Sequence, residues 1–260
     1  MRLLALALAG ALLASACSRD ADQSGSAGPV ATGPTSASSS PAPSATSTST
    51  PTGPFDEQAG VQIAVAAAAA MDHVTSLRLQ LSVDGDNPTA VDVRADDTGA
   101  CTGTVTIGDG RIRILGVADD QWFKADAAAW RRIAPDRSAR LIRAAGDHWV
   151  KDEGFEVANF CFFRQLLTPM LSDLGSAAWF SAGADQIGGH DVVRLQSAGG
   201  RAGLVTAAVY VDEPHYLAEY ERTDDTDGAV STGRFSDYGA AVEVSAPAVG
   251  DVVDLSGELG

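Results

Sequence analysis

Lysine is nearly missing from this sequence of 260 residues, and basic residues as a whole are scarce. Lys124 and Lys151 are its only lysines. The 18 basic side chains face 34 acidic ones, which gives a formal net charge of −16 at pH 7. A surface this acidic repels the phosphate backbone of nucleic acids. We therefore expect no nucleic acid among the partners of this protein.

The sequence also lacks the short motifs that mark the common catalytic sites. It contains no G-x-S-x-G, S-x-x-K or H-E-x-x-H motif, no P-loop and no G-x-G-x-x-G. Its four histidines lie far apart, and none has a partner at the spacing of metal ligands on one helix: His73, His148, His190 and His215. We predict a protein that is not an enzyme and that has neither a metal site nor a cofactor. A hydrolase with an unrecognised pair of carboxylates is a weaker alternative.

The apolar run near the N-terminus, Leu3 to Leu13, is too short to span a bilayer of about 30 Å. A positive charge precedes it, as in a secretory signal peptide. It ends in Leu13-Ala14-Ser15-Ala16-Cys17, which resembles the lipobox of bacterial lipoproteins, with Ala14 where an aliphatic residue is usual. The resemblance implies removal of residues 1–16 and acylation of Cys17 on the extracytoplasmic side of the cell membrane. Two or more acyl chains give stable anchoring. An ordinary signal peptide with an incidental cysteine is the alternative.

The segment after Cys17 is low in large apolar side chains and rich in Ser, Thr, Pro, Ala and Gly. Such a composition cannot bury enough surface to offset the entropy of ordering. We expect residues 17–54 to form a flexible tether that begins at the lipidated cysteine. Residues 55–260 are then one folded domain by size.

The folded region has only two cysteines, Cys101 and Cys161. In an exported protein an even pair is normally oxidised. A Cys101–Cys161 disulfide would attach the start of a predicted β-meander to an apolar helix. Closing a loop of about sixty residues contributes about 4 kcal/mol in the chain-entropy description.

Alternation of apolar and polar residues predicts antiparallel strands in both halves of the domain. Residues 101–126 contain three short strands, separated by Asp109-Gly110 and Asp119-Asp120, and they form a meander with one apolar face. Ser76 to Val83 alternates strictly, and Ala90 to Asp96 returns beside it. Further strands are predicted at 190–196, 204–212, 216–223 and 230–238, with 242–255 as irregular chain or a last edge strand.

Helical patterns occur at the start of the domain and in its middle. Pro54 to Glu57 has the features of a helix start. Val61 to Met71 is apolar almost all round, which predicts a largely buried helix. An Ala/Arg-rich region from Ala127 to Ala145 is helical with one break at a proline. Arg164 to Leu174 carries a Leu/Met stripe at helical spacing, and Ala177 to Phe180 ends the helical section.

This order of elements predicts an antiparallel α+β layer fold. Besides the order of elements, three sequence segments are informative. They are GDGRIRILGVADDQWFKAD at 108–126, the similar GDHWVKDE at 146–153, and YVDEPHYLAEYERTD at 210–224. Together they resemble the LppX/LprG-type lipoproteins of actinobacteria, which share the half-barrel of the periplasmic carrier LolA. The resemblance covers about residues 55–250. It implies a curved antiparallel β-sheet (half-barrel) with helices packed on its concave face. It also implies a cavity for the acyl chains of a lipid or glycolipid between sheet and helices.

Inward strand positions and one helix supply the candidate lining of such a cavity. These residues are Leu79, Leu81, Val93, Val105, Ile114, Phe163, Leu167 and Met170. Our first hypothesis is a lipid or glycolipid binder, held at the membrane by Cys17. The alternative is a surface-tethered sensor or interaction module, in which the same fold has a solidly packed core and its outer face binds an envelope protein.

Overall fold

The structure, a computed structural model, describes residues 53–85, 88–153, 155, 157–176, 178–197, 203–224 and 228–255. The predicted signal peptide, Cys17 and nearly all of the predicted tether lie outside these residues. Among the described residues, no helix combines the length and the apolar character that crossing a membrane requires.

The described residues form one sheet of twelve strands, in the spatial order β12-β6-β5-β4-β3-β2-β1-β11-β10-β9-β8-β7. Strands β12 and β6 are parallel, and the other neighbours are antiparallel. In chain order the strands are β1 (Ser76–Val83), β2 (Thr89–Asp96), β3 (Cys101–Ile107), β4 (Gly110–Val117), β5 (Asp120–Ala125), β6 (Trp149–Lys151), β7 (Trp179–Ile187), β8 (His190–Ser197), β9 (Val205–Tyr210), β10 (Leu217–Thr223), β11 (Val230–Ser236) and β12 (Val252–Val253).

Strand β1 joins the two halves of the sheet. It pairs with β2, which follows it in sequence, and with β11 from the far end of the domain. Leu79 of β1 therefore lies between Val93 and Phe235 in register. The first meander (β1 to β6) and the second (β7 to β11) meet at this pairing.

Four helices cover one face of the sheet: α1 (Gly60–Asp72), α2 (Ala127–Ile133), α3 (Ser138–Ala145) and α4 (Phe163–Ser176). Short 3₁₀ turns lie at Phe55–Glu57, Pro135–Arg137, Val157–Cys161 and Val249–Asp251. Inward strand residues and the apolar sides of the helices share one core. The α+β fold with a curved antiparallel sheet and helices on its concave face is therefore confirmed.

The first helix differs from its prediction in two respects. Pro54 to Glu57 was expected to start it, but Phe55–Glu57 forms a separate 3₁₀ turn and α1 begins at Gly60. The backbone of α1 lies against β7 there, because a Cβ on Gly60 would come within 2.6 Å of the carbonyl carbon of Phe180. The helix also buries one face only: Val61 and Val65 are 47% and 54% exposed.

Strand β7 was not predicted from the sequence. Residues 177–180 were expected only to end the helical section, whereas Trp179 begins a strand of nine residues. The segment is exposed along most of its length and has no alternation of large apolar residues. Its strand conformation comes from pairing with β8, which a local pattern does not encode. At the other edge, residues 242–255 contribute only the two-residue strand β12.

The predicted disulfide is present between Cys101 at the start of β3 and Cys161 in the 3₁₀ turn before α4. Both cysteines are buried. The bridge fixes this turn against the inner face of the first meander, since the turn also packs on β2, β4 and β5. It thereby sets the point at which α4 begins.

Candidate functional site

The inner face of the sheet is made of rows of side chains that run across the strands. One row follows the register from Phe235 through Leu79, Val93 and Gly103 to Ile114. The next row lies two residues further along each strand. It runs through Ala207, Tyr220, Gly233, Leu81, Val91, Val105 and Ile112. Antiparallel pairing places every member of a row on the same face.

The eight residues predicted to line a cavity all belong to the core beneath the helices. Leu79, Val93, Val105, Ile114, Phe163 and Leu167 are buried, and Leu81 and Met170 are partly buried against the same core. Two different helices lie over them, however. Helix α2 packs on β3, β4 and β5, above Val105 and Ile114, whereas α4 packs on α1. The structure therefore divides the predicted lining into two regions.

The region beneath α2 is closely packed. Gly110 of β4 touches the helix directly, because a Cβ there would lie 2.4 Å from the backbone nitrogen of Ala129. Three aromatic rings fill the space beside it, with centroids 5.2 to 5.5 Å apart: Phe123, Trp130 and Phe155. No side chain or ligand could be added here without moving the backbone of α2.

At Gly233 the inner face is covered by side chains and not by the backbone of a helix. Gly233 of β11 is buried, yet the nearest atom to an added Cβ is Cζ of Phe235 at 3.4 Å, an ordinary contact. On either side of it in register lie Tyr220 and Leu81, and Leu81 is only partly buried. The inner row therefore has its smallest residue between two larger side chains, and the Phe235 ring covers it.

Helix α4 is fastened to its surroundings at both ends. The Arg164 guanidinium donates hydrogen bonds to the carbonyl oxygens of Asp72 and Val74, at the end of α1. Near its other end, Asp173 accepts a hydrogen bond from the Tyr220 hydroxyl at 2.7 Å. The indole N–H of Trp179 donates to the carbonyl oxygen of Asp173 at 3.2 Å. These bonds hold α4 over β10.

Between these two attachments the helix is weaker and less buried. Pro169 lies inside α4 and has no N–H, so the carbonyl of Gln165 lacks its helical donor. Met170 follows it on the stripe that also contains Phe163, Leu167 and Leu174. Those three are buried, whereas Met170 is partly exposed. The middle of α4 thus lacks one backbone hydrogen bond and has a partly exposed Met170.

Burial raises the pKa of the Tyr220 hydroxyl, and its hydrogen bond to Asp173 acts in the same direction. Tyr220 therefore stays a neutral donor over the whole physiological range. The inner row of the sheet consequently presents apolar side chains and one phenol here, and the phenol is paired with the Asp173 carboxylate of α4. Such an environment accepts hydrocarbon and rejects charge.

Sequence reasoning identified the inward strand residues but missed the features that make this region distinct. Tyr220 lies in a strand that was predicted, and its alternation with Glu219 and Glu221 gives the face on which it lies. The sequence around Gly233 does not show what lies over it, because a glycine within a strand can mark either a β-bulge or the close approach of another group. Among the described residues, no group of three or more His, Cys, Asp or Glu side chains is placed to hold a metal ion.

No protein-family model matches the sequence, and no curated protein sequence matches it. Solved structures do resemble it. LprF from Mycobacterium bovis is 15% identical with a TM-score of 0.51, over 73% of this chain and 97% of LprF. The lipoprotein LppX of Mycobacterium tuberculosis is 15% identical with a TM-score of 0.48, over 71% of this chain and 97% of LppX. The likeness to LprF shows a shared fold, and it confirms the predicted resemblance at that level.

Proposed function

Because this chain shares its fold with LprF, we propose that it is a cell-envelope lipoprotein that binds an acyl chain of a lipid or glycolipid beneath α4. The observation that carries the proposal is the glycine at inner-face position 233, which lies between Leu81 and Tyr220 and is covered by side chains alone. The acyl chain would enter beside Met170, the partly exposed residue in the middle of α4. Burial of its methylene groups, worth about 0.8 kcal/mol each, supplies the affinity.

The position of the site divides the ligand into two parts. The hydrocarbon lies on the apolar row of the sheet, where Leu79 and Leu81 are its neighbours. A charged or sugar headgroup cannot follow it, since no charge of the sheet is available there to replace water. The headgroup therefore stays outside, and its identity is set by residues other than the eight candidates for the lining.

The anchor belongs to the same proposal. With Cys17 acylated, the signal peptide of residues 1–16 removed and residues 17–54 as a tether, the domain stays on the extracytoplasmic side of the membrane. A flexible segment of this length reaches roughly 30 Å, which allows the domain to approach the bilayer and to leave it. Its task is then binding or carriage of the lipid, without chemistry on it.

The decisive variant fills the space that the glycine leaves. We expect native mass spectrometry of the full-length chain to detect co-purified acyl lipid, and Gly233→Leu to abolish it. Binding of a fluorescent long-chain fatty acid should weaken at least tenfold in the same variant. Leu81→Trp adds bulk at the same place from the neighbouring strand, and it should weaken fatty-acid binding in the same way. The matched control, Thr206→Leu, adds apolar bulk to the outer face of β9 and should leave the affinity unchanged.

A second function is favoured by a separate observation, the exposed edge of the sheet. Strand β7 is paired on one side only, and Phe180 on it is exposed. An extended partner segment could add to such an edge. If the purified chain carries no lipid and Gly233→Leu and Thr206→Leu bind the fatty acid equally, the lipid proposal fails and the interaction module is the better explanation.

A further inference from the structure

The outer face of the sheet, opposite the helices, contains a second groove that the lipid proposal does not use. It has a volume of about 710 Å³ and crosses the central strands β11, β1, β2, β3 and β4. Three inner-face residues, Leu81, Val91 and Gly103, also border it, so its floor is the backbone of the sheet. Twist of the sheet makes this face concave along one direction although it is the outer one.

The charge of this groove is opposite to that of the protein. The chain carries a formal charge of −16. The groove, in contrast, is lined by four arginines and a single aspartate: Arg94, Arg111, Arg113, Arg234 and Asp92. A local excess of positive charge in a concave site concentrates anions there, even on an acidic protein.

Two of the four arginines are already engaged by carboxylates. Arg94 lies 3.2 Å from Asp237, and Arg234 lies 2.8 Å from Glu219. The aspartate of the lining is engaged as well. Arg78 donates two hydrogen bonds to the two oxygens of Asp92, at 2.8 and 2.6 Å, and these bonds lower the pKa of Asp92. Its carboxylate therefore stays ionised without neutralising the groove.

Arg111 and Arg113 are different. Across the described part of the chain, neither guanidinium has a carboxylate within ion-pair distance. Arg113 lies over the ring of Trp149, at 5.2 Å from its centroid, and this contact orients it. Both side chains are exposed on the same face of β4. At two residues apart, their Cα atoms are about 7 Å from one another.

Threonine hydroxyls lie directly beside these two guanidiniums. In the register of β3 and β4, Thr106 is opposite Arg111 and Thr104 is opposite Arg113. Thr102 continues the row. No side-chain hydrogen bond joins these three hydroxyls to any other described residue. Guanidinium forks and hydroxyl donors side by side match the oxygens of a phosphate group.

On the far side of the groove, carboxylate and amide oxygens join the donors Arg94 and Arg234. Asp92, Gln80 and Ser82 line that side, and each has an oxygen that can accept a hydrogen bond from a ligand hydroxyl. A ligand that spans both sides needs an anionic oxygen cluster at one end and hydroxyl groups at the other. Sugar phosphates have this arrangement.

We propose that the outer groove binds a phosphorylated polyol, with Arg111 and Arg113 on its phosphate and with Asp92, Gln80 and Ser82 on its hydroxyl groups. The ligand is a sugar phosphate that projects into solvent, free or at the end of a glycan. The recessed floor excludes the flat surface of a bilayer, whose headgroups lie in one plane. This site is independent of the lipid proposal, since the two lie on opposite faces of the sheet.

The test is a titration of the isotope-labelled full-length chain with glucose 1-phosphate, followed by two-dimensional NMR. We expect saturable shifts of the backbone amides at residues 102–106 and 111–113. Glucose at the same concentration should cause none. The variant Arg111→Gln/Arg113→Gln should raise the dissociation constant at least tenfold.

The matched control is Arg131→Gln/Arg143→Gln, which removes the same charge from exposed positions on α2 and α3 and should change the dissociation constant less than twofold. Thermal unfolding establishes that both double variants are folded. Gly233→Leu should leave the titration unchanged, so that failure of one proposal does not imply failure of the other.

Several results would overturn the proposal. The first is no saturable shift with glucose 1-phosphate, and the second is an equal loss of binding in the two double variants. Inorganic phosphate that binds as tightly as glucose 1-phosphate would show a simple ion site without recognition of the polyol. Binding to phosphatidylglycerol vesicles that depends on Arg111 and Arg113, without binding of the sugar phosphate, would show a membrane contact instead.

Discussion

The hydroxyl of Tyr220, on the inner face of the sheet, donates a hydrogen bond of 2.7 Å to Oδ2 of Asp173 on α4. At the same end the Trp179 indole N–H donates to the carbonyl oxygen of Asp173, and at the other end Arg164 contacts the end of α1. The less buried Met170 lies between them. The geometry of the proposed lipid site therefore depends on bonds at its two ends.

Removal of the Tyr220 hydroxyl should loosen α4 without unfolding the domain. We expect Tyr220→Phe to lower the free energy of unfolding by about 1 to 2 kcal/mol, because Asp173 is left without this donor. Urea denaturation measures the loss. Tyr216→Phe is the control, since the Tyr216 ring stacks on Tyr238 and its hydroxyl has no hydrogen-bond partner among the described residues. Equal effects of the two variants would contradict the attachment.

The same added methyl group should cost much more stability at one inner-face glycine than at another. Gly110→Ala drives a Cβ to 2.4 Å from the backbone of α2, and we expect it to cost about 1 to 3 kcal/mol. Gly233→Ala meets nothing closer than 3.4 Å and should change stability by less than about 1 kcal/mol. Thermal unfolding of the pair tests the difference in packing. A costly Gly233→Ala would mean that the region beneath α4 is full.

Loss of the disulfide should destabilise the folded domain strongly. Cys101 and Cys161 are 60 residues apart, and opening that loop in the unfolded chain should cost about 4 kcal/mol. We expect Cys101→Ala/Cys161→Ala to show this loss in urea denaturation. Both cysteines are buried, so a mild reductant should leave the native wild type intact. Unchanged stability of the double variant would contradict the prediction.

Acid should weaken the domain through Glu219. Burial raises the pKa of its carboxyl, but hydrogen bonds from Arg234 at 2.8 Å and Arg194 at 2.6 Å outweigh burial and lower it overall. The side chain of Glu219 is only 12% exposed. A lowered pKa in the folded state stabilises the fold above the unfolded pKa of about 4.3, and the benefit is lost as the pH falls through the folded value.

We therefore expect Glu219→Gln to cost about 2 kcal/mol at pH 7, and we expect its difference from wild type to shrink below about pH 4. Urea denaturation between pH 3 and pH 7 gives the comparison. Glu221→Gln, on the same face of β10, serves as the control, because among the described residues Glu221 accepts a hydrogen bond from Thr232 and from no arginine. A difference for Glu219→Gln that stays constant down to pH 3 would argue against a lowered pKa for the Glu219 carboxyl.

The strands of the first meander and the apolar face they share could be predicted from the sequence. Leu77, Leu79 and Leu81 alternate with polar residues, and a period of two is a local property that holds whatever the partner strand is. The disulfide was predictable for a different reason, since the folded region has no third cysteine. The family resemblance followed from the order of such elements, and the likeness to LprF confirms its fold.

The location of the two sites was not predictable in this way. That Arg111 and Arg113 face outward follows from alternation, but their placement beside Thr104 and Thr106 depends on the register between β3 and β4. That Gly233 lies between Leu81 and Tyr220 depends on the pairing of β1 with β11, strands from opposite ends of the domain. Strand β7 was missed because its conformation comes only from β8.

By itself, the sequence determined which residues are apolar, which way they alternate and which two cysteines pair. The tertiary structure alone decided where an inner-face glycine touches the backbone of a helix, at Gly110, and where it meets side chains only, at Gly233. The physical reason is that packing is a property of atoms brought together from distant parts of the chain. A residue such as Gly233 has no defined environment until β1 and β10 pair with its strand, β11.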